Sequence, residues 1–294
     1  MYRLVFPALL ARKQSDFDFK RSSPVLLFCA AIPRSLAAGI GAGRAMKFYF
    51  SLCLLVLTMI TSAEVMAASA DEIQVYDEAI NKIGELNVDI HMNYVGSGAK
   101  TPSYTGEIPS HHDFRVTPEF AYGFTNNLEG GLYIPVIRAA DGNGYLEGIK
   151  LRLKYIGDNR EHGFYWGING ELGSTSIRTS EQRLNFEIRP IIGYKTADWN
   201  LTANPISGFA ISGNKHTPGF SPAFKISHKE TEKTWLNIEH YADFGDMNNT
   251  HNVSQETYLS SDTEIFGHDL NVGIGHGWTG ADNLTIKVIF NVPL

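Results

Sequence analysis

From Leu86 the chain alternates, residue by residue, between apolar and polar side chains: Leu86, Val88, Ile90, Met92 and Tyr94 interleave with Asn87, Asp89, His91 and Asn93. Successive side chains of a β-strand point to opposite faces, so a period of two describes a strand set between an apolar and a wet environment. The rhythm returns about a dozen times and is still running at Val292.

The first four strands are predicted over residues 86–94, 114–124, 128–136 and 145–155. A fifth carries Phe164, Trp166, Ile168 and Leu172, a sixth carries Leu184, Phe186, Ile188, Ile192 and Tyr194, and a seventh begins at Trp199. The remainder fall near residues 220–226, 234–244, 257–264, 269–276 and 284–292. The segment 257–264 has the weakest pattern, because Thr257, Leu259, Ser261 and Thr263 are barely apolar. Dropping that hairpin would leave about ten strands rather than about twelve.

A soluble β-sandwich also alternates, but its strands average about five or six residues. Several strands here reach the roughly nine to eleven residues needed to cross a bilayer at a tilt. Longer gaps tend to follow the odd-numbered strands, as at 95–111, 174–182 and 245–256, and short ones follow the second and sixth, as at Thr125-Asn126-Asn127. Outer-membrane barrels have this asymmetry, with tight periplasmic turns and long outer loops. Aromatics such as Tyr94, Phe114, Phe124, Tyr145, Tyr155, Phe164 and Tyr194 stand at strand ends, where two interfacial girdles would lie. The predicted fold is therefore all-β: a single transmembrane antiparallel β-barrel over residues 85–294. The mean hydropathy of −0.14 fits it, since half of each strand faces a polar lumen. Pro118, Pro190 and Pro222 interrupt three strands, and a repeated bulge is expected there. Ile191, Trp235 and Ile289 fall out of register.

Upstream, Met46-Lys47 precedes the apolar run Leu52–Ile60, and small-residue cleavage sites follow at Ala67 and Ala70. That layout is a secretory signal peptide over residues 46–67, and the run is too short to span a membrane as a helix. Residues 1–45 read as an upstream extension from a start codon called too early, and 71–84 as a polar periplasmic lead-in. Both cysteines, Cys29 and Cys53, precede the cleavage site, so the exported chain has neither disulfides nor thiolate metal sites. Cleavage after Ala67 removes eight of 25 Lys and Arg and three of 31 Asp and Glu, leaving a net charge of −11. An acidic exported chain without a basic cluster is not built for nucleic acid.

The segments 117–135 (TPEFAYGFTNNLEGGLYIP) and 146–155 (LEGIKLRLKY) resemble the strand-turn-strand pattern of the family named for the MetA pathway of phenol degradation. The resemblance covers much of residues 85–294 and implies an outer-membrane barrel that moves small organic compounds. It brings no catalytic residue and no cofactor. The final strand, with Ile286, Val288, Phe290, Val292 and Leu294 at alternate places, resembles the C-terminal signal read by the barrel assembly machinery. Pro293 and the terminal Leu294 depart from the usual aromatic ending. Asp71-Glu72-Ile73-Gln74-Val75 faintly resembles the box of energised transporters, a match of common residues treated as chance.

The polar face carries Glu119, Glu129, Lys150, Arg152, Lys154, Glu171, Glu187 and Arg189, which are the candidate lumen-lining residues. They suit either a charged channel lining or a network of ion pairs that fills the interior. No serine motif accompanies His91 or the His240, Tyr241, Asp243 group, so no catalytic residue is assigned. His111-His112 is short of ligands, and adjacent imidazoles on an extended chain point apart, so no metal site is assigned. The leading expectation is a passive outer-membrane channel for small organic solutes, with lipid and the assembly machinery as partners. A barrel-borne hydrolase of lipid or envelope polymer, and a structural barrel with a blocked lumen and partner-binding loops, are the alternatives.

Overall fold

The computed structural model describes residues 71–158, 161–212, 217–250 and 253–294. The expected upstream extension, signal segment and cleavage sites lie outside the described residues.

The alternating segments form twelve antiparallel strands. They are β1 (Leu86–Ser97), β2 (Phe114–Gly123), β3 (Leu128–Tyr133 continued by Val136–Arg138) and β4 (Gly144–Leu146 continued by Gly148–Asp158). Next come β5 (Gly163–Thr175), β6 (Leu184–Lys195), β7 (Trp199–Asn204 continued by Ser207–Ala210) and β8 (Gly219–Phe220 continued by Ala223–Thr231). The chain ends with β9 (Thr234–Asp243), β10 (Ser254–Ile265), β11 (His268–Thr279) and β12 (Leu284–Pro293). Each strand pairs with its sequence neighbour, and β1 pairs with β12 from Asn87↔Pro293 to Ser97↔Leu284, so the sheet closes. Closure removes every unpaired edge, which is what allows a sheet to sit in hydrocarbon.

The apolar half of the alternation faces outward. Ile149, Leu151, Leu153 and Tyr155 of β4, Phe164, Trp166 and Ile168 of β5, and Ile286 of β12 are all exposed. In water such a continuous apolar surface would be an aggregation hazard; here it is the lipid-facing band of a transmembrane barrel. The weak segment is a full strand, because β10 pairs with both β9 and β11 over its length. Short turns (124–127, 196–198, 232–233, 266–267) gather at one rim, and loops such as 98–113, 176–183 and 244–250 at the other. Tyr145 is not part of the outer girdle: it pairs with the inward Ile137 and stacks beneath the Arg178 guanidinium, 4.4 Å from its ring centre.

The prolines do not make the expected bulges. Ile90↔Pro118 and Ile168↔Pro190 pair in unbroken register. On its other side Pro118 faces the interruption of β3 at Ile134-Pro135, and Pro190 faces that of β7 at Pro205-Ile206. Pro222 stands in the interruption of β8 itself. A ring nitrogen that cannot donate is thus set where the neighbouring strand offers no partner. Its carbonyl remains in use, as in Ile134 N donating to Pro118 O at 3.1 Å.

Candidate functional site

The other half of the alternation faces the lumen, and the barrel is not empty. Residues 71–83 run through it without regular secondary structure, descending from the level of Lys150 to the short-turn rim, where Gly84 N donates to Gly123 O at 2.8 Å before β1 begins. Glu72, Ile73, Val75, Tyr76 and Glu78 are buried. The segment crosses so close to β2 that a Cβ on Gly123 would lie 2.1 Å from Lys82 O, so only glycine fits there. The polar lead-in, whose place inside or outside the lumen the sequence leaves open, is an internal plug.

A buried irregular backbone must find partners for its N–H and C=O groups, and the lumen supplies them. Asn204 grips Tyr76 twice, accepting from its N–H at 2.7 Å and donating to its carbonyl at 2.8 Å. Lys287 donates to Ile73 O (3.0 Å), Arg189 to Gln74 O (3.2 Å) and Lys154 to Ala79 O (2.5 Å). Asn81 N donates to Glu129 Oε2 at 2.7 Å. Five strands from around the barrel therefore hold one short stretch of backbone.

Side chains add to this. Lys150 Nζ lies 2.8 Å from Asp71 and 3.4 Å from Glu72, and Lys195 pairs with Glu78. The Tyr76 ring lies among cations, 4.3 Å from Arg189, 5.0 Å from Lys154 and 5.4 Å from Arg152, while its hydroxyl meets that of Tyr133 at 2.5 Å. Ile73 and Val75 cluster with Ile206, Ala223, Tyr241 and Tyr258; Tyr76 and Ile80 cluster with Ile156, Tyr165 and Ile191. Of the residues that fall out of register in the sequence, Ile191 packs in the second cluster, and Ile289 is likewise buried.

The structure places all eight predicted lumen residues on the inner face. Glu119, Glu129, Lys150, Arg152, Lys154, Glu171 and Arg189 are buried, and the Glu187 side chain is partly exposed. They are largely spent on one another and on the plug. Arg152 bridges Glu119 and Glu129, the latter at 2.7 Å; Arg189 pairs with Glu187 at 2.9 Å, and Lys150 with Glu171 at 3.5 Å. His91 Nε2 stands 3.2 Å from Glu119 Oε2.

Several inner-face groups were not singled out from sequence. Arg115 with Asp113 and Glu147, and Lys287 with Glu239 (2.6 Å), form further buried pairs. Strict alternation would have found Arg115, Glu239 and Lys287. Asn204 and Tyr133 carry no such signal, because neutral polar and aromatic residues occupy both faces.

Above the plug, Ser110 Oγ donates to Asp282 at 2.5 Å and Ile108 N to Arg178 O at 3.0 Å, so the loop 98–113 is tied to two other outer loops. Beside it Asp113 is buried; removal from water pushes its carboxyl up to about 7, against the pull of Arg115 at 2.5 Å. His111 and His112 do not point apart. A left-handed backbone at His112 (φ 65°) stacks the two rings with centres 3.9 Å apart. Among the described residues no group of three or more His, Cys, Asp or Glu is arranged to hold a metal ion. His240 bonds Thr257 at 2.9 Å on the outer face while Tyr241 turns inward to Glu239, so the two do not share a site.

No family model and no curated relative matches the chain. Among solved structures it is similar to the COG4313 outer membrane channel from Pseudomonas putida F1, at a TM-score of 0.55 and 9% identity, over 76% of this chain and all of that one. The KdgM porin aligns at a TM-score of 0.49 and 12% identity, over 70% and 97% of the two chains. LpxR from Salmonella typhimurium aligns at 0.41 and 8% identity, over 70% and 99%. At such identities the first of these speaks for the fold.

Proposed function

We propose that this chain is a passive outer-membrane channel for small organic solutes, and that residues 71–83 set its throughput. The observation that carries the reading is the composition of the lumen around the plug. The segment covers apolar surface at Ile206, Ala223, Tyr241 and Tyr258 on one side and lies on a wall of paired charges on the other. A path opened by its displacement would be amphipathic, suited to molecules with an apolar body and a polar group. The resemblance of segments 117–135 and 146–155 to the phenol-degradation family points to the same solute class. On this reading the protein resides in the outer membrane of a Gram-negative cell, surrounded by lipid, and its last strand is read by the assembly machinery.

Planar-bilayer conductance and liposome solute flux of the full chain and of a variant lacking residues 71–83 test this. The deletion variant is expected to conduct on the order of tenfold more and to admit small aromatic alcohols. Equal, negligible flux through both would overturn the channel reading. It would favour a structural barrel, the second reading that the density of contacts around Tyr76 supports.

A further inference from the structure

We propose that the outer face of the β2–β3–β4 tip is a seat for one anionic acyl lipid of the outer leaflet, the phosphate-bearing lipid A. The inference rests on the outer-membrane reading but not on conduction. Strand pairing sets two horizontal rows on this face. Tyr94, Phe114, Arg138 and Gly144 are successive cross-strand partners at the level of the outer aromatic girdle. One step deeper, Met92, Val116, Val136 and Leu146 form the next row.

The interruptions of β3 at Ile134-Pro135 and of β4 at Glu147 set this tip off from the barrel wall below. An almost wholly apolar groove of about 420 Å³ opens there, between Phe114, Val116, Val136 and Leu146. Gly144 lines it, and a Cβ at that position would meet only Ile137 O, at 3.9 Å, so there is room for a larger side chain to enter the groove. Phe114, Val136 and Leu146 are exposed, so the bed is free to receive an acyl chain.

A guanidinium stands at the upper lip. Arg138 is exposed and has no carboxylate partner among the described residues. Asp141, in the adjoining turn, is occupied by the backbone and side-chain N–H groups of Asn143, at 2.9 and 2.8 Å. At the same level the His112 ring stacks on Tyr94, with centres 6.3 Å apart. By contrast Lys150, Arg152, Arg189 and Lys287 of the inner face are each spent on a carboxylate. A free guanidinium at headgroup depth above an apolar groove matches an amphiphile with its phosphate at the interface and its chains below, since arginine binds phosphate with forked, charge-assisted hydrogen bonds. A zwitterionic phospholipid offers the chains, but its phosphate is already balanced by its own cation.

The test uses the full-length protein, stripped of lipid in detergent and incubated separately with bisphosphorylated lipid A, dephosphorylated lipid A and phosphatidylcholine, with retained adducts counted by native mass spectrometry. One bisphosphorylated lipid A per barrel is expected to survive, with the other two lost. Arg138→Ala should reduce retention about tenfold, and Arg138→Lys should restore part of it. Gly144→Leu, which fills the groove and leaves the guanidinium, should also reduce it. Lys233→Ala, at the opposite rim, should leave retention unchanged. Heat-modifiable migration on gels verifies that each barrel is folded, and the exposed Arg138 variants carry the test if Gly144→Leu does not fold. Retention by folded Arg138→Ala equal to that of the native chain, equal retention of phosphatidylcholine, or an equal loss in Lys233→Ala would overturn the proposal. Since the readout is lipid retention, a negligible conductance leaves it standing.

Discussion

The two walls of the lumen grip the same plug by different means. On β2 to β6 the inner face is ionic: Glu119, Lys150, Arg152, Lys154, Glu171 and Arg189 are buried within a shared network. On β7 to β12 it is mostly neutral, with Asn200, Thr202, Asn204, Ser227, Asn237 and Ser260 among fewer charges such as Lys225, Glu239 and Lys287. Charges removed from water are costly unless every partner is present, so the ionic wall is rigid and intolerant of single deletions. Neutral hydrogen bonds exchange with water at little net cost, and apolar contacts are non-directional. On the proposed function, the β7–β12 wall is the side along which the plug parts from the barrel, baring Ile206, Tyr241 and Tyr258.

The contrast is open to mutation. Arg152→Met leaves Glu119 and Glu129 buried without their cation and should cost about 3–5 kcal/mol of stability in denaturant unfolding of the detergent-solubilised barrel. Asn204→Ala, on the other wall, strips both hydrogen bonds from the Tyr76 backbone and should cost about 1–3 kcal/mol. It should also raise open-channel probability, which Arg152→Met should not do selectively. Tyr165→Phe, which loses the bonds to Asn200 (2.9 Å) and Thr202 (2.6 Å), should cost about 1 kcal/mol. If Asn204→Ala or Tyr165→Phe, each of which removes only neutral hydrogen bonds, proves costlier than Arg152→Met, the division of labour is wrong.

The smallest effect is expected at the outer loop. The Asp113 carboxyl lies at about 7 in the fold against an ordinary 3.8, so its contribution is complete below the lower value and is lost as the pH rises through the upper one. Hydrogen exchange of residues 98–113, corrected for intrinsic rates, should be a few-fold faster at high pH than at low, and Asp113→Asn should flatten that dependence. An unchanged slope in the variant would remove Asp113 from the account.

The outer face was legible in the sequence because lipid demands an apolar residue at every second place, and the strands from Leu86 to Val292 follow that demand closely. The ionic wall was legible for a related reason: Lys150, Arg152 and Lys154 stand at alternate positions within an apolar strand. The neutral wall was not, since Asn, Ser and Thr are tolerated on both faces; Thr257 and Ser261 face outward while Thr202 and Ser260 face inward. The inward turn of Tyr133, Ile156, Tyr165 and Ile191 answers to the plug, a tertiary partner that periodicity does not encode. The plug itself read as a polar lead-in because its hydrogen bonds are made to side chains far along the chain, Asn204 and Lys287 among them.

The central claim, that residues 71–83 govern the lumen, is tested most directly by bridging the plug to the wall. Glu78 and Asn200 meet at 3.2 Å and the chain beyond residue 67 has no cysteine, so Glu78→Cys with Asn200→Cys can be joined by a short bis-methanethiosulfonate linker, each thiolate displacing a sulfinate, and released by a reductant. The account predicts that single-channel conductance is locked low while the linker is intact and that openings appear once it is cleaved. Conductance identical before and after cleavage would contradict it.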